Sequence, residues 1–263
     1  MHPIIVEWGS VTIRSYGVMV ACGFLLACYL LYLNRNYAKL SADQTSTLAM
    51  VAMVAGLIGA RIFYVVQYWD YYRSDWSKII RIDQGGLVFY GGFILAFFAL
   101  IVYCKLNKVD WVRVLDIATP ALAAAHALGR VGCFLNGCCF GSACSLPWAV
   151  HYPVGTEAHN AAHGSAVHPV QLYETLEQTV LVFVYFYLVR RTPRGVAMSC
   201  YLIIYGILRF LNELVRGDNP KYFDAFTPAQ LVGLLIVPAG IGLLIYFLRN
   251  GPSRKSENLK DQA

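Results

Sequence analysis

The chain has 263 residues, of which 58% are hydrophobic and 14% are charged, and its formal net charge is +6. The apolar residues fall in blocks of about twenty, the length that a helix needs to cross a bilayer, so the composition excludes a soluble protein and indicates an integral membrane protein. The basic residues are scattered among short loops. The positive charge therefore indicates the membrane topology and an attraction to anionic lipid, and no nucleic acid is predicted as a partner.

Seven apolar segments are predicted to span the membrane as helices, because lipid cannot satisfy open backbone groups. The first span is expected to be retained, since its basic flank follows it and no signal-peptide cleavage site is evident. The predicted fold is all-α: a polytopic membrane protein with seven transmembrane helices in a single domain over residues 1–263. The predicted spans are 16–33, 47–68, 86–103, 111–128, 172–189, 196–214 and 228–248.

The distribution of Lys and Arg predicts the orientation. One side collects eleven of these residues and the other side seven, and the positive-inside rule places the richer side in the cytoplasm. The carboxyl terminus is then cytoplasmic and, with an odd number of spans, the amino terminus is periplasmic in a bacterial inner membrane. The residues expected on the cytoplasmic side are Arg35, Lys39, Lys105, Lys108, Arg190, Arg191, Arg194, Arg249, Arg254, Lys255 and Lys260.

Three segments lie outside the spans. Residues 69–85 mix Trp and Tyr with Arg and Lys, which is typical of an element in the headgroup layer, either an interfacial anchor or a gate for lipid entry. Residues 142–167 contain no Lys or Arg and are predicted to form a small extracytoplasmic cap. Residues 250–263 are expected to be a disordered cytoplasmic tail.

Ionisable residues inside the spans need an explanation, because even low estimates place the cost of a charge at the bilayer centre at about 2.5–3.5 kcal/mol. Arg209, Glu213 and Arg216 are spaced to share one helix face. One interpretation is a self-neutralised triad. The other is that two arginines and one glutamate leave a positive charge for a lipid phosphate, with the hydroxyl of Tyr205 on the same face.

Two glycine-rich segments indicate sites of close backbone approach. Glycine pairs flank Tyr90 at the entrance of the third span, which favours either a broken helix or simple helix packing. The run GRVGCFLNGCCFG, from Gly129 to Gly141, adds Arg130 and Asn136 to four glycines at the end of an apolar span. This combination indicates a site for an anionic headgroup.

Four of the eight cysteines, Cys133, Cys138, Cys139 and Cys144, are close together in the sequence. They are interpreted as disulfides or as free thiols on the extracytoplasmic side. A zinc site is the rival, although the spacing lacks the C-x2-C pairs of common zinc sites. The alternative function is therefore a membrane redox or metal-binding protein, and a lipid transporter or scramblase is a third class.

The chain resembles the prolipoprotein diacylglyceryl transferases along nearly its whole length, in span count, topology and motif order. The matching positions are Tyr16, Gly17, Gly59, Ala60, Arg61, Gly91, Gly92, Asp116, Pro120, Gly129 to Gly132, Phe134, Asn136, Gly141, His168, Pro169, Gln171 to Glu174, Tyr205, Gly206, Arg209, Glu213 and Arg216.

The resemblance implies an inner-membrane enzyme that moves diacylglycerol from phosphatidylglycerol to the lipobox cysteine in the signal peptide of a prolipoprotein. The product is a thioether, and glycerol phosphate is released without a cofactor or a metal ion. The expected catalytic residues are Arg130, Arg209, Tyr90 and Tyr205. The expected substrate-binding residues are Tyr16, Arg61, Gly91, Gly92, Asn136, Gly141, His168, Gln171, Glu174, Glu213 and Arg216.

Three positions depart from the family pattern: Tyr90 stands where histidine is usual, Cys133 where asparagine is usual, and Cys138 where an acidic residue is usual. A tyrosine with an ordinary pKa near 10 is a poor base for a thiol unless an arginine stabilises its phenolate. The proton acceptor therefore stays open among Tyr90, His126, His168 and Glu174.

Overall fold

In the computed structural model the described residues are 1–9, 11–73, 75–81, 86–219 and 226–250. The chain forms two compact units, the first comprising Met1–Leu31 and Leu115–Ala263 and the second Tyr32–Val114. Among the described residues, seven helices are long and apolar enough to cross a membrane. These are α1 (Ser15–Asn34), α2 (Ala42–Gln67), α4 (Phe89–Leu106), α5 (Trp111–Asn136), α7 (Val170–Arg191), α8 (Val196–Leu214) and α9 (Pro228–Asn250).

The predicted fold, a multi-pass helical membrane protein with seven spans, is confirmed. Most boundaries agree with the predictions to within about three residues, and two differ by more. Helix α2 begins at Ala42 because Ser41 and Gln44 form a capping box, in which each side chain accepts the backbone N–H of the other residue. Helix α5 continues through Asn136, so Arg130 lies on a helix and is not part of a loop.

An antiparallel hairpin of β1 (Ile4–Trp8) and β2 (Val11–Arg14) precedes α1, and the sequence analysis did not predict it. Every residue of β1 is exposed. The hairpin is followed at once by α1, whose first residue donates its backbone N–H to Pro3 O at 3.0 Å.

The first unit has α5 at its centre. Half of the residues in the most apolar stretch of α5 are buried, whereas at most a third are buried in the corresponding stretch of each other span. The carboxylate of Asp116, on α5, is fully buried and accepts the backbone N–H groups of Gly195 at 2.6 Å and Met198 at 2.9 Å. A side chain of α5 thus caps the amino end of α8, whose first N–H groups have no partner within the helix.

The cap, residues 142–167, contains the short helix α6 (Glu157–Ala161) and encloses a small apolar core of Phe140, Tyr152, Ala158 and Val167. Backbone hydrogen bonds tie the neighbouring chain to the ends of α7 and α8: Gly141 N donates to His168 O, and Ser142 N donates to Val215 O. A Cβ on Gly141 would lie 2.5 Å from the Cβ of His168, so only glycine permits this approach.

In the second unit, α2 packs against α4 through glycines. A Cβ on Gly59 would lie 2.4 Å from Gly91 O, and one on Gly92 would lie 2.7 Å from Gly56 O. Such contacts let two helix backbones approach closely. The structure therefore gives Gly91 and Gly92 a role in helix packing, and their predicted contact with substrate stays a prediction.

The segment 69–85 contains α3 (Trp69–Tyr72) and a 3-10 helix (Trp76–Ile80). Trp69, Tyr71 and Trp76 are exposed, whereas Tyr72 is buried. Its predicted place in the headgroup layer stays a prediction. Ser74 and residues 82–85 are outside the described chain, as are 251–263, nearly all of the predicted tail.

Candidate functional site

Five ionisable side chains meet in the first unit where the carboxyl-terminal turns of α5 and α8 approach the first turns of α7. Arg130 comes from α5, Glu174 from α7, and Arg209 and Glu213 from α8, while Arg216 follows α8 directly. Glu174 lies near the amino end of its helix and the arginines lie toward carboxyl ends, where the helix dipole favours their charges, whereas Glu213 lies at a carboxyl end and is stabilised by its arginine partner instead. This is the arginine cluster.

Glu174 is the centre of the arginine cluster. Its side chain is 3% exposed, and its Oε2 lies 2.6 Å from Arg130 Nε, while its Oε1 lies 3.3 Å from Arg209 Nη1 and 3.8 Å from Arg216 Nη1. One buried carboxylate is therefore shared by three guanidinium groups. A guanidinium group that moved away from this carboxylate would be left as an uncompensated buried charge. Glu174 therefore determines where the arginines lie.

Two further carboxylates complete the charge balance. Glu213 Oε2 lies 2.8 Å from Arg209 Nη2, and Asp218 binds Arg216 through two hydrogen bonds of 3.0 and 2.8 Å. The sequence argument that two arginines and one glutamate leave a positive charge is therefore incomplete. Glu174 and Asp218 join the set only after the chain folds, because one is far away in sequence and the other lies beyond the helix.

The contacts divide the arginines into two kinds. Burial disfavours the charge of Arg216, but the Asp218 carboxylate outweighs burial and raises the pKa of Arg216, so this cation is committed to its partner. Arg130, by contrast, makes its ion pairs and hydrogen bonds within the described chain through Nε alone. Its side chain is 14% exposed, and its two terminal nitrogens are available to an anion.

His126 joins the cluster from α5, one helical turn before Arg130. Its Nε2 lies 3.2 Å from Glu174 Oε2 and 3.1 Å from Arg130 Nε. Arg130 Nε donates to His126 Nε2, so this ring nitrogen is an acceptor. It lies between the Arg130 guanidinium group and the Glu174 carboxylate.

A small, partly open cleft lies beside the arginine cluster. Tyr205 lies on this cleft, with its ring 5.8 Å from the His126 ring and stacked on Tyr201 at 5.7 Å. The prediction that Tyr205 shares a face with Arg209 is thus met by the geometry. The cleft is lined by His126, Glu174, Glu177, Gln178, Tyr205, Leu208, Arg209 and Asn212.

Other predicted residues surround the cluster within the first unit. A Cβ on Gly132 would lie 3.2 Å from the Tyr16 ring, so Tyr16 lies against the glycine-rich run from Gly129 to Gly141. Gln171 is fully buried and donates to Cys138 O at 2.7 Å. His168 Nδ1 lies 3.3 Å from Tyr173 Oη, and Asn136 contacts Cys138 Sγ at 3.5 Å. These four contacts hold the predicted residues in place around the arginine cluster.

Four predicted site residues belong to the second unit: the helix-packing Gly91 and Gly92, together with Arg61 and Tyr90. Arg61 is 8% exposed and donates to four backbone carbonyls, those of Lys78, Ile79, Arg81 and Gly86, at 2.7 to 3.0 Å. Sequence reasoning missed this anchoring role because backbone acceptors leave no signal in a sequence. Tyr90 is half exposed at the start of α4, and its catalytic role stays a prediction.

The fold and the arginine cluster define a class: a multi-pass helical membrane protein with a buried, charge-balanced cluster of ionisable side chains near one end of its spans. The chain belongs to the prolipoprotein diacylglyceryl transferase family, whose model matches residues 3–246. The resemblance stated from the sequence is thereby confirmed.

Curated relatives are similar over nearly their full lengths. The phosphatidylglycerol–prolipoprotein diacylglyceryl transferase of Finegoldia magna is 34% identical, over 90% of this chain and 92% of its own. One from Clostridium perfringens is 33% identical, over 97% and 98%, and one from Listeria monocytogenes is 30% identical, over 94% and 90%. These relatives give no support to the alternative of a redox or metal-binding protein.

Proposed function

We infer that this protein transfers the diacylglyceryl group of phosphatidylglycerol to the lipobox cysteine thiol of a prolipoprotein. The thiol sulfur forms a bond to the glycerol carbon, the bond from that carbon to the phosphate oxygen breaks, and glycerol phosphate leaves. The observation that carries this inference is the arginine cluster in a member of this family, with Arg209 and Glu174 on the lining of a cleft.

We propose that Arg130 and Arg209 stabilise the negative charge that develops on the departing phosphate. Fixed donors in a site with little water stabilise developing charge without reorganisation. Glu174 holds both guanidinium groups, at 2.6 and 3.3 Å, so the donors are oriented before the lipid binds. Arg216, committed to Asp218, supports the cluster.

His126 is the best-supported acceptor for the thiol proton. Its Nε2 lies 3.2 Å from the Glu174 carboxylate and accepts the Nε–H of Arg130 at 3.1 Å. These contacts fix the ring, and a histidine oriented by its neighbours is a common base for a nucleophile. His126 also lines the cleft together with Tyr205. Tyr90, predicted from the resemblance, is the second candidate.

The test is transfer from labelled phosphatidylglycerol to a lipobox peptide by purified protein. Loss of one donor to a developing oxyanion costs about 100- to 1000-fold in rate, and we expect losses of this size for Arg130→Ala and Arg209→Ala. Arg73→Ala is the matched control, since Arg73 has a 65% exposed side chain paired with Asp70. Wild-type rates in both cluster variants would contradict the proposal.

The base is tested by His126→Gln and Tyr90→Phe in the same assay. If His126 is the base, His126→Gln lowers kcat, while Tyr90→Phe leaves kcat near the wild-type value. The opposite pattern would assign the base to Tyr90.

We propose the orientation from the basic residues. Arg190, Arg191 and Arg194 lie at the turn between α7 and α8, and Arg249 lies at the end of α9, which the positive-inside rule places in the cytoplasm. The amino terminus and the cap are then periplasmic, in the inner membrane. A membrane-impermeant thiol reagent on whole spheroplasts should label a cysteine introduced at Glu157, on α6, and should not label one introduced at Arg249.

A further inference from the structure

Three cysteine thiols are brought together by the way in which α5 ends. Gly137 has a left-handed φ of +74°, and its N–H donates to Phe134 O, while Cys138 N donates to Cys133 O at 3.2 Å. This is a Schellman motif, whose geometry places the side chain after the glycine against the side chain five residues earlier. Cys138 therefore lies over Cys133.

Cys139 completes the group. Its own φ of +62° is a conformation that non-glycine residues seldom adopt. The sulfur atoms of Cys133, Cys138 and Cys139 all lie within 4.8 Å of one another, and this set is the thiol cluster. All three are free thiols in the structure.

The surroundings of Cys139 favour its thiolate. The neighbouring thiols of Cys133 and Cys138, together with the guanidinium groups of Arg130 and Arg216, stabilise the thiolate and lower the pKa of Cys139. Cys139 is half-buried and Cys133 is buried. Accessible thiolates that have a second thiol nearby are the cysteines that peroxides oxidise.

We propose that Cys139 is a site of reversible oxidation by hydroperoxides and that Cys133 resolves the oxidised form as a disulfide. The Cys139 thiolate attacks the terminal peroxide oxygen, the O–O bond breaks, and the leaving alkoxide takes a proton to become an alcohol. The Cys133 sulfur then attacks the Cys139 sulfenic acid, the S–O bond breaks, and water leaves with the Cys133 proton. The two thiols lose two electrons, which reduce the hydroperoxide.

The geometry selects Cys133 over Cys138 as the resolving thiol. The sulfur of Cys138 is engaged by the Asn136 amide at 3.5 Å and points to Cys133 O at 3.8 Å. A disulfide between the adjacent Cys138 and Cys139 would also close a strained ring. Oxidation modifies a transferase in this account and gives it no electron-transfer function.

The test is peptide mapping of the reduced full-length protein in detergent after one equivalent of cumene hydroperoxide, with dimedone present to trap sulfenic acid. Wild type should yield a peptide with a Cys133–Cys139 disulfide. Cys133→Ser should instead yield a dimedone adduct on Cys139, and Cys139→Ser should lose both products. Cys138→Ser is the matched control and should give the wild-type disulfide.

Alkylation provides a second measurement that needs no oxidant. At pH 6.5 iodoacetamide should modify Cys139 on the order of 10-fold faster than Cys144. Oxidation spread evenly over the eight cysteines, a Cys133–Cys138 disulfide that persists in Cys139→Ser, or one bound zinc ion per chain that Cys139→Ser releases would each overturn the proposal. Because the readout is a peptide mass, it stands or fails independently of transferase activity.

Discussion

Replacing Glu174 by glutamine tests whether one buried carboxylate holds the arginine cluster. Glutamine preserves the shape of the side chain but removes the charge that Arg130, Arg209 and Arg216 share at 2.6, 3.3 and 3.8 Å. The three guanidinium groups would then keep only two carboxylate partners within the described chain, Glu213 and Asp218. The variant therefore removes one negative charge from a buried, charge-balanced site.

The expected cost follows from that imbalance. Breaking a buried ion pair by removing one partner destabilises a protein by about 3–5 kcal/mol. At about 2–4 °C per kcal/mol for a chain of this size, the melting temperature should fall by roughly 6–20 °C. The measurement is thermal unfolding of the purified protein in detergent micelles, followed by near-ultraviolet circular dichroism.

Two controls separate this effect from a general intolerance of glutamine. Glu157→Gln makes the same change at an exposed position of the cap helix α6 and should melt like wild type. The double variant Glu174→Gln with Arg130→Gln removes one charge of each sign, so its loss should be smaller than the sum of the single losses. A melting temperature for Glu174→Gln within about 2 °C of wild type would refute the central role of Glu174.

Three further predictions concern the scaffold. Arg61→Lys removes the guanidinium fork that binds four backbone carbonyls. Losing one such hydrogen bond costs about 1.5–3 kcal/mol. Because Lys78 O is one of the four acceptors, proteolysis near Lys78 should accelerate roughly 10- to 100-fold. Asp116→Asn keeps one acceptor for two N–H groups, and its melting temperature should fall by an amount equivalent to about 1–3 kcal/mol. Gly141→Ala should destabilise by about 1–3 kcal/mol, whereas Gly242→Ala, which meets nothing within 4 Å, should not.

The sequence was sufficient to predict the spans because membrane helices need a long apolar run that is visible without any tertiary information. The sixth predicted span, 196–214, has the same bounds as α8. The missed boundary of α2 had a local signal, the Ser41 and Gln44 capping box, which an apolar-run criterion ignores. The extension of α5 to Asn136 had none, since glycine and cysteine break the apolar pattern without breaking the helix.

Several residues that the sequence singles out lie together in the arginine cluster, but the sequence did not predict how they pair. Spacing along α8 predicted that Arg209 and Glu213 would meet, and they do, at 2.8 Å. The sharing of Glu174 by three arginines depends on how α7 packs, and a sequence gives no distance between helices. The same limit explains Arg61, whose buried position suggested a ligand and whose partners are backbone carbonyls.

The measurement that tests the central claim most directly is diacylglyceryl transfer from labelled phosphatidylglycerol to a lipobox peptide, compared between wild type, Arg130→Ala and Arg73→Ala. The account predicts a thioether-linked peptide with wild type and Arg73→Ala, and about 100- to 1000-fold slower transfer with Arg130→Ala. Equal rates in all three proteins would remove the arginine cluster from the mechanism. No transfer by folded wild-type protein would contradict the proposed function itself.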